Sequence, residues 1–253
     1  MIAEIQHHNR TFKVDLARPV DLSIPLRPGE DGTRAWWVGP VRMEPVIWND
    51  KPMLVTEGAG VNFRNIIFNP HGHGTHTESV GHISPDLNPV GTLLERYFFL
   101  ARVVSVHPLE KRTAEGEVDH VITLGHLRDA LSERPPEALV LRTRNGNALR
   151  DGRDWSGTNP TYLEAAACAW LRSIGVQHLL LDLPSVDRES DGGALAAHHA
   201  FWDFPNTTDR KRTITELISV PENVVDGDYL LELQFPNFVN DAAPSRPVLY
   251  ALL

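Results

Sequence analysis

The 253-residue chain is poor in cysteine, with Cys168 alone. One thiol excludes an internal disulfide framework, and its place in an apolar helical pattern reads as a small buried side chain. Long hydrophobic runs are also missing. The most apolar stretch, Tyr97 to Val106, is interrupted by Arg102 and is too short to span a bilayer. The first twenty residues carry Glu4, His7, Arg10 and Lys13 and lack the continuous apolar stretch of a secretory signal. A reducing, cytoplasmic setting without a membrane partner is therefore expected. Positive charge is in the minority, with 24 Lys and Arg against 33 Asp and Glu and a net charge of -9. Such a surface repels a phosphate backbone, which sets nucleic acid aside as a partner. No internal repeat, low-complexity tract or linker divides the chain, so residues 1–253 are expected to form one domain. There is no HExxH helix motif and no GxSxG elbow, which removes two common hydrolase designs.

What remains is ordinary globular composition, 42% hydrophobic and 23% charged. Strands are predicted at Val20–Leu26, Met53–Glu57, Val61–Phe68, Phe98–Val106, Ala138–Arg142, Val176–Leu183, Thr213–Val220 and Tyr229–Phe235, with an edge strand at Val248–Leu253. Helices are predicted at Leu124–Leu131, Thr161–Ile174 and Ala194–Phe201, the second stopped by Gly175. The order strand, helix, glycine, strand around Gly175 is a βαβ-like signature. The expectation is an α/β domain with a mixed sheet flanked by helices.

Histidine is the loudest signal. Of 12 histidines, four (His71, His73, His76 and His82) fall in the segment HGHGTHTESVGH, with Glu78 embedded. Imidazole and carboxylate are the ligands of zinc-like ions. His76 and Glu78, two apart, share a face of an extended segment, and Gly72, Gly74 and Gly81 let the backbone turn close to a ligand. The spacing is not that of a zinc finger. Downstream, His198 and His199 are adjacent, and on a helix only one of them can face a given site. Glu216 lies in a mostly apolar strand, where a carboxylate is either solvent-facing or holds a partner. Asp182, Ser185 and Asp187 sit at and beyond the end of a predicted buried strand, where α/β proteins place functional groups. Trp36, Trp37, Phe63 and Trp202 are aromatic candidates for a substrate pocket, with core packing as the plainer role of each.

The segment GTHTESVGH resembles the HxGTHxDxPxH signature of the cyclase family, which includes bacterial kynurenine formamidases and isatin hydrolases. VDLSIPL, SIGVQHLLLDLPSVD, AHHAFW and TITELI resemble further family segments in the same order, from about Asp21 to Leu217. The resemblance implies a swivelling β/β/α-like fold, a homodimer or higher oligomer, and hydrolysis of small amides or lactams with one or two divalent ions, zinc or manganese. By position it makes His76, Glu78, His198 (or His199) and Glu216 metal ligands and His82 the general acid/base. The chain departs from the pattern at three points. Gly72 stands where the first motif histidine falls, with His71 and His73 on either side; Glu78 replaces aspartate; Val80 replaces proline. Two further readings fit the same residues: a metal-dependent lyase or dehydratase, and a metal- or ligand-binding protein that has lost turnover.

Overall fold

The computed structural model describes residues 1–7, 9–114, 116–131, 135–144 and 152–253. Four predicted segments become the parallel heart of a mixed sheet: Phe98–Val106, Ala138–Thr143, His178–Leu181 and Thr213–Glu216, neighbours in that order. Every residue of Ala138–Thr143 is buried, as expected for a parallel strand covered on both faces. Alternation divides its side chains. Leu139 and Leu141, with Leu179 and Leu181, pack under α1 (Leu124–Ala130), α2 (Ala165–Ser173) and α3 (Ala196–Trp202). Ala138, Val140 and Leu180 face the other way, against Leu22, Phe99, Leu231 and Leu249. Each such leucine contributes roughly 1.5–3 kcal/mol on burial, enough collectively to hold polar groups rigidly at the strand ends.

Antiparallel strands extend both edges. His76–Glu78 and then Ala242–Pro244 lie beyond Thr213–Glu216, while Gly227–Glu232, Val248–Ala251 and Val20–Asp21 lie beyond Phe98–Val106. Among the described residues the sheet has nine strands. Gly175, at φ +96°, ends the α2 region, and Thr123 caps α1 by accepting from the His126 amide.

Several boundaries differ from expectation for local reasons. Only Val20–Asp21 pairs, because the Asp21 carboxylate accepts the Ser23 amide and hydroxyl and turns the chain. Met53–Glu57 is not a strand: Val55–Glu57 is a helical turn closed by Gly58 at φ +84°. Val61–Phe68 is extended and paired only at Arg64–Ile67, against Arg42–Pro45. The predicted helix from Thr161 starts at Ala165, since Tyr162–Leu163 pair with Val121 and Ile122. The strand at Thr213 stops at Glu216, where Leu217 turns at φ +54°. Val248–Ala251 is not an edge strand but lies between two others. An unforeseen hairpin, Ile2–His7 with Arg10–Asp15, lays Val14 on Leu230 and Tyr250. Residues 42–67 form two small antiparallel pairings outside the main sheet and leave Ile47, Trp48 and Phe63 exposed. Among the described residues no helix is long and apolar enough to cross a membrane.

Candidate metal centre

The strand His76–Glu78 runs antiparallel to Thr213–Glu216, with His76 opposite Glu216. Partners in an antiparallel pair point to the same face, and so does the residue two along. His76, Glu78 and Glu216 thus converge, while Thr77 and Thr215 bond each other at 2.8 Å on the reverse face. Glu216 is buried rather than solvent-facing, and its Oε1 accepts the Val186 amide at 3.1 Å. The loop after His178–Leu181 brings Asp187 beneath α3, where its carboxylate accepts the Ala197 and His198 amides at 2.7 and 3.1 Å. That cap fixes the rotation of the helix. It aims His198 inward, whereas His199 turns away and bonds the Phe204 carbonyl.

Glu78 is the hub. Its Oε1 lies 3.1 Å from His198 Nε2, and its Oε2 lies 3.0 Å from His71 Nδ1 and 3.8 Å from His82 Nδ1. Burial pushes its carboxyl up, but the His82, His198 and His71 imidazoles prevail and hold it well below the usual carboxylate range. Burial likewise pulls His198 down, yet its hydrogen bonds to Asp187 and Glu78 raise it to about 10. His71 is also raised to about 10, against burial, by Asp241 and Glu78. Asp241, hydrogen-bonded to His71 and with the His82 imidazole 3.6 Å away, is held below its ordinary value.

His76 provides the test of whether a cation fits. Its Nδ1 lies 3.1 Å from the Gly74 carbonyl, so that nitrogen carries the proton. Its Nε2 is fully buried and makes no hydrogen bond, with a Glu216 oxygen 3.4 Å away. A buried lone pair aimed among carboxylates, on a ring oriented from behind, is the arrangement of a histidine ligand. Neighbouring donors around a small ion stand roughly 3–3.5 Å apart, as His76 Nε2 and the Glu216 oxygen do at 3.4 Å. Three groupings (His71, His76 and Glu78; His71, His82 and Asp241; Glu78, His82 and His198) each hold their ligand atoms within 4.8 Å.

Other expectations separate here. His71 joins the centre; His73 does not, because its Nε2 bonds the Gly39 carbonyl and its Nδ1 accepts the Asn69 amide. Gly72 is closely packed: a Cβ there would stand 2.7 Å from Val38 Cγ2, so a side chain would require Val38 to shift. A cleft of about 270 Å³ opens onto the centre, with Trp36, His71, His82, Ser185, His198 and Glu216 on its walls. Trp36 and Trp37 both adopt left-handed backbone, at φ 61° and 53°, an outlying conformation for bulky residues. Of the aromatic candidates only Trp36 lines the cleft among the described residues. Trp37 and Phe63 are exposed, 68% and 57%. Trp202 is entirely buried in the core, its indole N–H donated to the Arg212 carbonyl. Asp182 bonds the Thr143 amide and hydroxyl and stays in the protein interior. Asp241 was missed by sequence reasoning: it follows an unremarkable loop and belongs to no motif.

The sheet and its histidine–carboxylate centre place the chain in a family. It belongs to the Cyclase family, whose model matches residues 20–188. That span contains His71, His76, Glu78, His82 and Asp187; His198, Glu216 and Asp241 lie beyond it. The chain is 27% identical over 241 residues to a kynurenine formamidase of Bordetella avium (strain 197N), covering 94% of this chain and 97% of that one. It is 28% identical over 239 residues to a kynurenine formamidase of Bacillus mycoides (strain KBAB4), covering 93% and 96%. In fold it is similar to isatin hydrolase A of Ralstonia solanacearum, with a TM-score of 0.67 at 17% identity over 92% of both chains.

Proposed function

We propose that this protein is a metal-dependent hydrolase of amide bonds other than peptide bonds, acting on a small arylformamide- or lactam-like substrate with water as the nucleophile. The observation that carries the reading is the unpartnered, buried His76 Nε2 facing Glu216 beside Glu78. Chain-wide similarity to two kynurenine formamidases supports the substrate class. His76, Glu78, His198 and Glu216 would hold a divalent cation, and His71, 3.0 Å from Glu78 Oε2, would add a further donor. Mixed imidazole and carboxylate donors suit zinc or manganese. When bound, such a cation supplies Lewis acidity, which lowers the pKa of water and polarises a carbonyl.

The protein's own groups do the rest. Asp187 keeps the His198 ring oriented through a 2.6 Å contact to Nδ1. His82 stands exposed at the cleft mouth, within reach of solvent and substrate. It takes a proton from the attacking water and returns it to the departing nitrogen. Trp36 offers a flat apolar wall to an aryl ring. Residues 1–253 act as one unit, since the centre draws on side chains from His71 to Asp241. The exposed apolar side chains Ile47, Trp48 and Phe63 support a homodimer or higher oligomer. A reducing, cytoplasmic setting fits the buried free thiol of Cys168.

The test is hydrolysis of a formylated arylamine and of a lactam by zinc- or manganese-loaded protein in ¹⁸O-labelled water. One solvent oxygen per acid formed is expected, and His82→Gln should lower turnover about 10²–10⁴-fold with metal content unchanged. Product without solvent oxygen would move the protein to a lyase. Full activity in His82→Gln would remove that residue from the mechanism.

A further inference from the structure

We propose that Asp241 is the positioning residue that makes His71 a metal ligand, so that the histidine missing at position 72 is replaced by a neighbour whose ring is aimed by a carboxylate far along the chain. The inference rests on the metal centre proposed above. His71 and Asp241 are 170 residues apart, and Asp241 Oδ2 lies 2.7 Å from His71 Nε2. The other ring nitrogen, Nδ1, is 3.0 Å from Glu78 Oε2.

This arrangement has a counterpart on the other side of Glu78. There Asp187 lies 2.6 Å from His198 Nδ1, and His198 Nε2 lies 3.1 Å from Glu78 Oε1. Glu78 is therefore flanked by two imidazoles, each backed by an outer carboxylate. A ring held this way donates one N–H outward and presents its second nitrogen to the centre, and such outer partners set ligand orientation and basicity. Asp187 was legible as a strand-end acid; Asp241 is its match in space without any match in sequence.

The backbone supports the placement. The Asp241 carbonyl accepts the Ser79 amide at 2.9 Å, which ties this loop to the motif strand directly after Glu78. Position 81 has no room to spare: a Cβ on Gly81 would lie 2.1 Å from the Leu87 carbonyl oxygen and 3.0 Å from Asp241 Cβ. The glycine thus lets the aspartate approach. Gly72 packs against Val38, and both His73 nitrogens are engaged with Gly39 and Asn69. That leaves His71 as the histidine of this turn that can face Glu78. Asp241 Oδ2 is also 3.6 Å from His82 Nδ1, so one oxygen spaces the ligand from the acid/base.

The experiment is zinc titration by chelator competition on full-length wild type, Asp241→Ala, Asp241→Asn and His71→Ala. Long-range ¹⁵N–¹H spectra of the histidines in zinc-loaded wild type accompany it. Asp241→Ala should weaken zinc binding about 10–100-fold, while Asp241→Asn, which keeps an acceptor oxygen, should recover most of the loss. In the wild-type spectra His71 should show zinc on Nδ1 and a proton on Nε2, a signature that does not depend on how well any variant folds. Unchanged affinity in Asp241→Ala or in His71→Ala overturns the inference. So does an Asn variant as weak as the Ala variant, or zinc on His71 Nε2. A wild type that takes up no zinc overturns the metal centre itself, which separates the two failures.

Discussion

Two sets of buried titratable groups behave in opposite ways. In the candidate metal centre, His71 and His198 are raised to about 10 and Glu78 is held low. At the two ends of the strand His178–Leu181 the shifts reverse. Burial, aided by Arg96, pushes His178 down to about 3, and burial raises Asp182 to about 7. Glu78, His198, His178 and Asp182 are all buried and His71 is partly so, and burial opposes the charged form in each, so desolvation is not what distinguishes the two sets. The difference is company. In the centre every imidazole faces a carboxylate, and attraction at short range outweighs the loss of water. His178 meets a neutral Thr213 hydroxyl at 2.9 Å, and Asp182 meets the amide and hydroxyl of Thr143. With only neutral partners at hydrogen-bond range, burial wins and the neutral form is favoured. A set of opposed charges is ready to exchange protons for a cation; an isolated buried acid or base is a structural element.

The sharpest way to break this contrast is Glu78→Gln, which removes the charge shared by both histidines. The metal-free protein should lose about 3–5 kcal/mol of stability, the usual cost of leaving buried charge uncompensated, and zinc uptake should fail. Denaturant unfolding and elemental analysis read both. A variant as stable and as metal-replete as wild type would mean that Glu78 is not the hub.

A smaller effect separates the ends of the strand. Asp182 has a folded pKa above its unfolded value of 3.8. Its favourable contribution is present below pH 3.8 and is lost as pH rises through about 7. Between pH 5 and 7 this costs roughly 2–3 kcal/mol. Asp182→Asn should therefore gain stability on that scale, relative to wild type, as pH goes from 5 to 7. A parallel pair of stability curves would refute the shift.

His178 has the reverse sign. Its folded pKa lies below the unfolded value of 6.5. Its contribution is present above pH 6.5 and is lost as pH falls toward about 3. Between pH 7 and 5 the loss is roughly 2 kcal/mol. In wild type the two terms nearly cancel over this window. His178→Gln should therefore lose roughly 2 kcal/mol relative to wild type as pH rises from 5 to 7, read by urea unfolding of both metal-free proteins. A difference between the two curves that stays constant with pH would show that His178 is not held neutral.

Local pattern carried much of the fold. Phe98–Val106 was legible to the residue because seven of its nine positions carry β-branched or apolar side chains and leave no competing period. The buried strands at Ala138 and His178 read clearly for the same reason. Boundaries failed where a side chain or a neighbour intervened, as with Asp21 bonding Ser23 or Tyr162 pairing with Val121. The candidate centre was legible where its residues share an element: His76 and Glu78, two apart on one strand, declare their common face by spacing alone. The preference for His198 over His199 came from the family resemblance, counted back from Phe201; helical spacing alone does not separate two adjacent residues until Asp187 fixes the helix rotation.

By itself the sequence determined the class of element at most positions, the concentration of imidazole and carboxylate around Gly74, and, through ordered motifs, the family. Those are consequences of near neighbours along the chain. Only the tertiary structure decided that His71 rather than His73 enters the centre, that Glu216 stands opposite His76, and that Asp241 closes the line of alternating acids and histidines. These choices depend on strand register and on contacts between residues as far as 170 positions apart, and no local periodicity records them.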